Sequence, residues 1–302
     1  MLEIRLKIGL NFIISLLKKN NMTIPISIII PTYNEEKNLP ACLEAIDNWS
    51  NDIHIIDSNS TDKTKEIAKK HCVNFITYKN KQIWPKKRQW AIDNLTIKYD
   101  WILLLDADEI LTNNIKNEIE ESIKDKKYNG FELLFRLEFL GRQLKFAYPG
   151  LYKTMLFRKG FGSYERLIKT EYSKNELPIE THEHFIVEGK TKKLKSSIIH
   201  RNVNDIHDYI RKHNHYSDWN AEVILNPIEL KLKPSLFGNQ AARRRFIKSK
   251  FENFLLFPLL VFVYFYFLRL GLLDGRAGFY YSGLQAIQTF HINAKVYEKI
   301  NK

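Results

Sequence analysis

Trp101-Ile102-Leu103-Leu104-Leu105-Asp106-Ala107-Asp108-Glu109 is the stretch on which the fold turns. Its unbroken apolar run reads as a strand covered on both faces, the pattern of a buried parallel sheet. Two carboxylates follow where that strand ends. Asp106 and Asp108 repel each other at this spacing unless a cation lies between them. Oxygen ligands select a hard ion, Mg2+ or Mn2+, which keeps waters and binds substrate phosphates.

Working outward, strand and helix patterns alternate. Ile26–Ile30, Ile53–Ile56 and Val73–Thr77 read as strands. Asn38–Trp49, Thr61–His71, Gln89–Leu95 and Asn113–Ile123 read as helices, on spacings such as Leu39, Cys42, Leu43 and Ile46. The order βαβαβαβα predicts an α/β fold with a mostly parallel central sheet flanked by helices. In such sheets ligands bind beyond the carboxyl ends of the strands. Three acid-bearing segments meet there: Pro31-Thr32-Tyr33-Asn34-Glu35-Glu36, Asp57-Ser58-Asn59-Ser60-Thr61-Asp62, and Asp106 to Glu109. No Gly-x-Gly-x-x-Gly follows the first strand and no phosphate-binding Gly-rich loop ending in Gly-Lys is present. Phosphate recognition therefore falls to a metal and to cations such as Lys86, Lys87 and Arg88. After about Gly130 the pattern becomes β-rich and aromatic. Phe139, Arg142, Tyr148, Arg158, Tyr164 and Arg166 are candidates for an acceptor pocket there.

These segments resemble the family 2 glycosyltransferases of the GT-A fold, from about residue 24 almost to the end of the chain. The resemblance rests on Ile28-Ile29-Ile30-Pro31-Thr32-Tyr33-Asn34-Glu35, Asp57-Ser58-x-Ser60-Thr61-Asp62-x-Thr64 and Asp106-Ala107-Asp108-Glu109. Further pieces resemble the bacterial branch of lipopolysaccharide core glucosyltransferases: Lys87-Arg88-Gln89-Trp90-Ala91, Thr181-His182-Glu183, Asp208-Tyr209-x-Arg211-Lys212 and Leu273-Asp274-Gly275-Arg276-x-Gly278. Gln89 stands where many relatives have Asn. The resemblance implies an inverting, metal-dependent transferase that takes a sugar from a nucleotide-diphosphate donor, commonly a UDP-hexose. Its acceptor would be a cell-envelope glycan or a lipid-linked one. It places Pro31, Tyr33, Glu35 and Asp57 at the nucleoside, and Lys87 and Arg88 near the base or phosphates. Asp106 would face the sugar or ribose, and Asp108 would bind Mg2+ or Mn2+. His200 is a candidate later metal ligand. Glu183 would be the catalytic base, with Asp106 or Glu188 as substitutes.

Charge and hydropathy divide the chain. Its 302 residues carry a formal net charge of +13, which asks for an acidic partner. Residues 24–230, the expected catalytic domain, hold almost none of that excess. Residues 1–23, which read as an amphipathic helix, and residues 231–302 hold nearly all of it. Between residues 231 and 250 lie seven basic side chains and no acidic one. Phe254–Leu268 then runs entirely apolar, with Pro258 inside it. Fifteen residues fall short of the ~20 a spanning helix needs. The expectation is peripheral or monotopic attachment to anionic lipid on the cytoplasmic face of a bacterial inner membrane. Cys42 and Cys72 form no Cys-x-x-Cys pair and read as structural thiols. Three other classes fit the sequence less well. An inactive sugar-nucleotide-binding or scaffold protein would not need the Asp-x-Asp pair. A nucleic-acid binder has only charge in its favour, since no recognition motif is present. A nucleotidyltransferase would need a glycine-rich opening that is missing.

Overall fold

The computed structural model describes residues 23–71, 73–79, 86–165, 185–201, 205–226, 235, 237 and 254–302. The expected helix over residues 1–23, Cys72, Arg166 and the Thr181-His182-Glu183 segment all lie outside that set, apart from residue 23 itself, as does nearly all of the basic stretch 231–250.

Four parallel strands form the half of the sheet nearest the N-terminus, in the order β3 (Asn74–Thr77), β2 (Ile53–Asp57), β1 (Ile26–Thr32), β4 (Trp101–Leu104). Ile26, Ile28, Ile29 and Ile30 are fully buried because helices cover both faces. Helix α1 (Leu39–Ile46) starts with Pro40 in its first turn and buries Leu39, Cys42, Leu43 and Ile46, the stripe its spacing predicts. Helices α2 (Thr64–Lys70) and α3 (Lys87–Asn94) make the next crossovers. Helix α4 (Asn113–Ser122) is capped by Thr112, whose hydroxyl accepts from the Ile115 N–H, and it buries Ile115 and Ile119.

The other half of the sheet is mixed. Strand β4 pairs antiparallel with β8 (Leu151–Arg158), which pairs antiparallel with β6 (Gly130–Phe139). β6 runs parallel to β11 (Thr191–Arg201), whose far edge takes the short β5 (Glu109–Leu111) antiparallel. β7 (Arg142–Gln143) doubles back on β6, and β9 (Gly162–Tyr164) pairs with β10 (Phe185–Val187) in a separate ribbon. The central sheet is thus parallel over its first four strands and mixed as a whole. Its path also forces curvature. β4 and β5 stand four strand steps apart, roughly 19 Å if flat. Only residues 105–108 join them, and the link from Leu104 to Glu109 reaches at most about 17 Å when stretched. The sheet therefore curls, bringing the edge strand β5 and its neighbour β11 back over the end of β4.

The last elements pack on this curl. Helix α5 (Ile206–Leu225) begins at Asp205, whose carboxylate accepts from the Asp208 N–H. Helix α6 (Phe257–Val263) continues through a wide turn at Tyr264–Leu268. The chain then bends by 71° before a short 3-10 turn, Gly271–Asp274, and α7 (Gly275–Ile300). Leu137 and Phe139 of β6, with Leu144 and Ala147 of the connection that follows β7, pack against Ala277 and Tyr281 of α7. Buried Asp274 is the clamp: its carboxylate accepts from the N–H groups of Lys145, Phe146 and Ala147 at 2.8–2.9 Å. A Cβ at Gly278 would stand 2.0 Å from the Gly271 carbonyl oxygen, so the 3-10 turn can lie on α7 only through a bare backbone. Gly278→Ala is expected to lower stability by about 2–3 kcal/mol, read as a lower denaturant midpoint. An unchanged midpoint would show that this crossing is loose.

Candidate active site

The three acid-bearing segments do meet at the carboxyl edge of the parallel strands, and they are tied to one another. Asp57, at the end of β2, is buried. It accepts from the hydroxyls of Thr32 (2.8 Å) and Ser60 (2.5 Å) and from the Ser60 N–H (2.7 Å). Asn34 and Asn59 turn the two loops with φ of 54° and 61°, a conformation Asn tolerates. The loops then exchange bonds: Asn34 N–H to Ser60 Oγ at 2.8 Å, Thr61 N–H to Asn34 Oδ1 at 2.9 Å, and Glu35 N–H to Thr64 Oγ1 at 2.9 Å. Pro31 closes β1 beside Thr32, and Tyr33 stands exposed at the rim. This frame leaves the aromatic ring of Tyr33 free for a ligand and uses Asp57 to hold the loops.

The cations arrive from α3. Lys87 Nζ donates to the Thr32 carbonyl at 2.8 Å, and the Arg88 guanidinium is paired with Asp106. Both lie in the first turn of the helix, so α3 begins two residues earlier than its apolar spacing predicts. Burial pushes the Asp106 carboxyl up, but Arg88 and then Lys153 outweigh it and hold the group below the usual carboxylate range. Glu109 lies fully buried beneath this turn. Its Oε2 accepts from the Asp106 N–H at 2.8 Å, and Lys153 Nζ stands 3.7 Å from its Oε1. Burial, with Asp106 adding to it, raises the Glu109 carboxyl to about 7. Its place in the site was not assigned from sequence, although the residue follows the Asp-x-Asp pair directly.

Asp108 and His200, both expected as metal ligands, stand in hydrogen-bond contact. Asp108 Oδ2 and His200 Nε2 stand 3.0 Å apart, on β5's leading edge and on β11, and the Arg201 N–H donates to the Asp108 carbonyl. Burial opposes charge on both groups. The pair still overcomes it: His200 is raised, and Asp108 is driven far down by His200, with Lys212 and Lys153 behind it. Lys212, on α5, feels Tyr216, Asp108 and Glu35, which outweigh the cost of its enclosure and raise it. Asp208-Tyr209-x-Arg211-Lys212 is therefore a helix turn that aims one cation at the carboxylates, while Tyr209 stacks on His213.

Asp108 and His200 are of the donor types that a divalent ion takes, but their 3.0 Å separation is that of the hydrogen bond they share; an ion here would displace that proton, since a ligating imidazole nitrogen carries none. Asp106 is engaged by Arg88, and the described residues contain no group of three or more His, Cys, Asp or Glu able to hold a metal. The remaining ligands would be donor phosphate oxygens and water.

Glu35 couples the frame to the pair. Its Oε2 accepts from Asn38 Nδ2 at 2.7 Å, and burial together with Asp108 raises it to about 7. The folded state then keeps a proton that the unfolded chain loses near pH 4.5. Glu35 therefore reduces stability as pH rises from about 4.5 through about 7. Glu109 acts in the same sense. Glu35→Gln is expected to flatten, without abolishing, the fall in denaturant midpoint between pH 5 and 7. An identical pH slope in wild type and variant would exclude Glu35 as its source.

Three candidates are displaced. Glu188 sits by Asn129 and Phe161, and Arg158 pairs in register with Trp101 at the amino end of β4. Both are at the opposite edge of the sheet from Asp106. Phe139 is buried against Tyr209 and Tyr281, as packing and not as pocket lining. Glu183 lies outside the described residues. The chain leaves the described part at Glu165 and re-enters at Phe185, beside α3: the Tyr164 N–H donates to Gln89 Oε1 at 2.8 Å, and Tyr164 pairs with Phe185.

Residues 27–133 match the model of Glycosyl transferase family 2. An uncharacterized glycosyltransferase of Rickettsia bellii is 24% identical over 267 residues, covering 82% of this chain and 86% of the relative. A dolichyl N-acetyl-alpha-D-glucosaminyl phosphate 3-beta-D-2,3-diacetamido-2,3-dideoxy-beta-D-glucuronosyltransferase of Methanococcus voltae is 39% identical over 119 residues, covering 34% and 35% of the two chains. Among solved structures, S. aureus TarS 1-349 in complex with UDP aligns over 93% of this chain and 92% of that one, at 14% identity and a TM-score of 0.43. The matched region spans β1 to β4 and the Asp-x-Asp turn, and with the mixed sheet flanked by helices it makes the fold GT-A.

Proposed function

We propose that the chain is a family 2 glycosyltransferase, an inverting enzyme that moves a hexose from a nucleotide-diphosphate donor, UDP-linked, to a cell-envelope glycan or lipid-linked acceptor such as lipopolysaccharide core. The observation that carries this reading is the Asp108–His200 pair at the mouth of two cross-tied loops, with Lys87, Arg88 and Lys212 around it. The acceptor class rests on the resemblance of the Lys87–Ala91, Asp208–Lys212 and Leu273–Gly278 segments. It also finds support in a relative whose name carries a dolichyl-linked sugar.

The loops at Pro31–Glu35 and Asp57–Thr61 would take the nucleoside, with the exposed Tyr33 ring beside the base. Asp108 and His200 would hold Mg2+ or Mn2+, which when bound neutralises charge developing on the diphosphate. Lys212 and Arg88 add fixed positive charge to the same region and need no reorganisation to do so. Asp106, acidified by Arg88, is a weak proton acceptor and suits orienting a sugar or ribose hydroxyl. The acceptor proton then needs another carboxylate. Glu183 is that base in this reading, since the ends of its segment are fixed next to α3. Inversion requires one base and no covalent intermediate.

Calorimetric screening of UDP-, GDP- and dTDP-sugars with Mn2+ tests the assignment. Binding of a UDP-sugar is expected, and binding of none would overturn it. Glu183→Gln is expected to cut transfer by about 10²–10⁴-fold with donor affinity nearly unchanged. Wild-type-like turnover in that variant would remove Glu183 from the role.

A further inference from the structure

We propose that α6 with its following turn is a monotopic anchor that seats in one leaflet of an anionic lipid bilayer. Phe254–Leu268 is wholly apolar, yet not one of its residues is buried. A helix of this composition in a water-exposed protein turns at least one face into a core. Here Leu255 is 84% exposed, Leu259 58% and Leu268 74%. The inner side meets α7 through Phe262 and Tyr266 on Phe279, at 5.8 and 5.5 Å, and through Phe265 on Tyr281 at 5.8 Å. α7 is in turn held to the sheet by the Asp274 clamp. The apolar face is thus rigidly mounted and points outward.

Its geometry favours lying in a leaflet over crossing. Among the described residues no single helix is long and apolar enough to span; Phe257–Leu268 and Gly271–Ile300 together have the length and composition, but the pair is bent by 71°, the shape of a dip into one leaflet. Leu270 makes that turn in the left-handed region, φ 57°. Arg269 stands there with its guanidinium 5.6 Å from the Tyr264 ring and 5.9 Å from Phe265. An Arg over aromatic rings at the end of an apolar run marks the headgroup level. Charge selects the lipid. The seven basic and no acidic residues of 231–250 precede the run, with Phe251, Glu252 and Asn253 between, and each Lys or Arg near an anionic surface adds about 1 kcal/mol of attraction.

The test is flotation of the full chain with vesicles of phosphatidylcholine and phosphatidylglycerol, against phosphatidylcholine alone. The wild type is expected to float with the anionic vesicles. Combined Leu255→Glu, Leu259→Glu and Leu268→Glu should lower the bound fraction at least about tenfold. All three side chains are exposed, so circular dichroism should not change. Arg243→Gln, Arg244→Gln and Arg245→Gln together should erase the preference for phosphatidylglycerol. Wild type that does not float would overturn the proposal. A lipid-free dimer that the three Glu substitutions dissociate would also overturn it, since the face would then belong to a second copy. Equal binding to both vesicle types would overturn the anionic preference. Sugar-nucleotide binding is measured in parallel. Its failure with flotation intact would remove the transferase reading and leave the anchor standing.

Discussion

Asp108→Asn is expected to lower turnover of the donor sugar by about 10³-fold, measured as UDP release. Asparagine keeps the size and one oxygen of the side chain but not its charge. The backbone carbonyl of Asp108 still accepts from the Arg201 N–H, so β5 and β11 stay in register. What disappears is the anionic half of the Asp108–His200 pair. His200 reports on that loss by a second route. Burial pushes its pKa down and Asp108 pulls it up, so in the variant the imidazole should titrate at lower pH, visible by NMR. Lowered turnover together with a downward-shifted His200 places the defect in the pair. Wild-type turnover in a folded variant would exclude Asp108 from the chemistry.

Asp274→Ala is expected to have the largest effect on stability, a loss of about 3–5 kcal/mol seen as a lower denaturant midpoint. One buried carboxylate satisfies three consecutive N–H groups, those of Lys145, Phe146 and Ala147. Alanine leaves all three without that acceptor, and hydrogen bonds to a charged group are the stronger kind. Asp274→Asn retains one acceptor oxygen and should fall between wild type and alanine. Equal midpoints for Asp274→Ala and wild type would mean that the hydrophobic contacts of Leu144 and Ala147 with α7 suffice to hold the C-terminal helices.

The parallel half of the fold was legible because its two central strands, β1 and β4, are buried on both faces and read as apolar runs. Ile26–Ile30 and Trp101–Leu105 leave no polar residue to confuse the period, except Ser27. Ser27 is buried too, and its hydroxyl donates to Asp52 at 2.5 Å. The mixed half was not legible. β6 alternates buried and half-buried residues along Gly130–Phe139, but nothing local says that β11 will lie beside it in parallel, some sixty residues later. The same limit applied to the site. The segments around Asp57 and Asp106 were visible as acids after strands. Arg88 was expected near a nucleotide; its pairing with Asp106, a contact between α3 and the β4–β5 turn, is something that spacing does not encode. Aromatic residues misled for a related reason: Phe139 looked like a sugar platform until α7 supplied Tyr281 to bury it.

The placement of β5 has a consequence for the chain as it is made. Leu111 pairs with Ile198, and Glu109 with His200. At ~5–20 residues per second, the ribosome needs about 5–20 s to deliver the partner strand after β5 is complete. Through that interval Ile110 and Leu111 form an uncovered strand edge, the template on which chains aggregate. The Asp106–Asp108 turn has no fixed far wall until β11 is in place. Synthesis of the residues around position 200 thus ends the period in which the nascent chain is most exposed to misassembly.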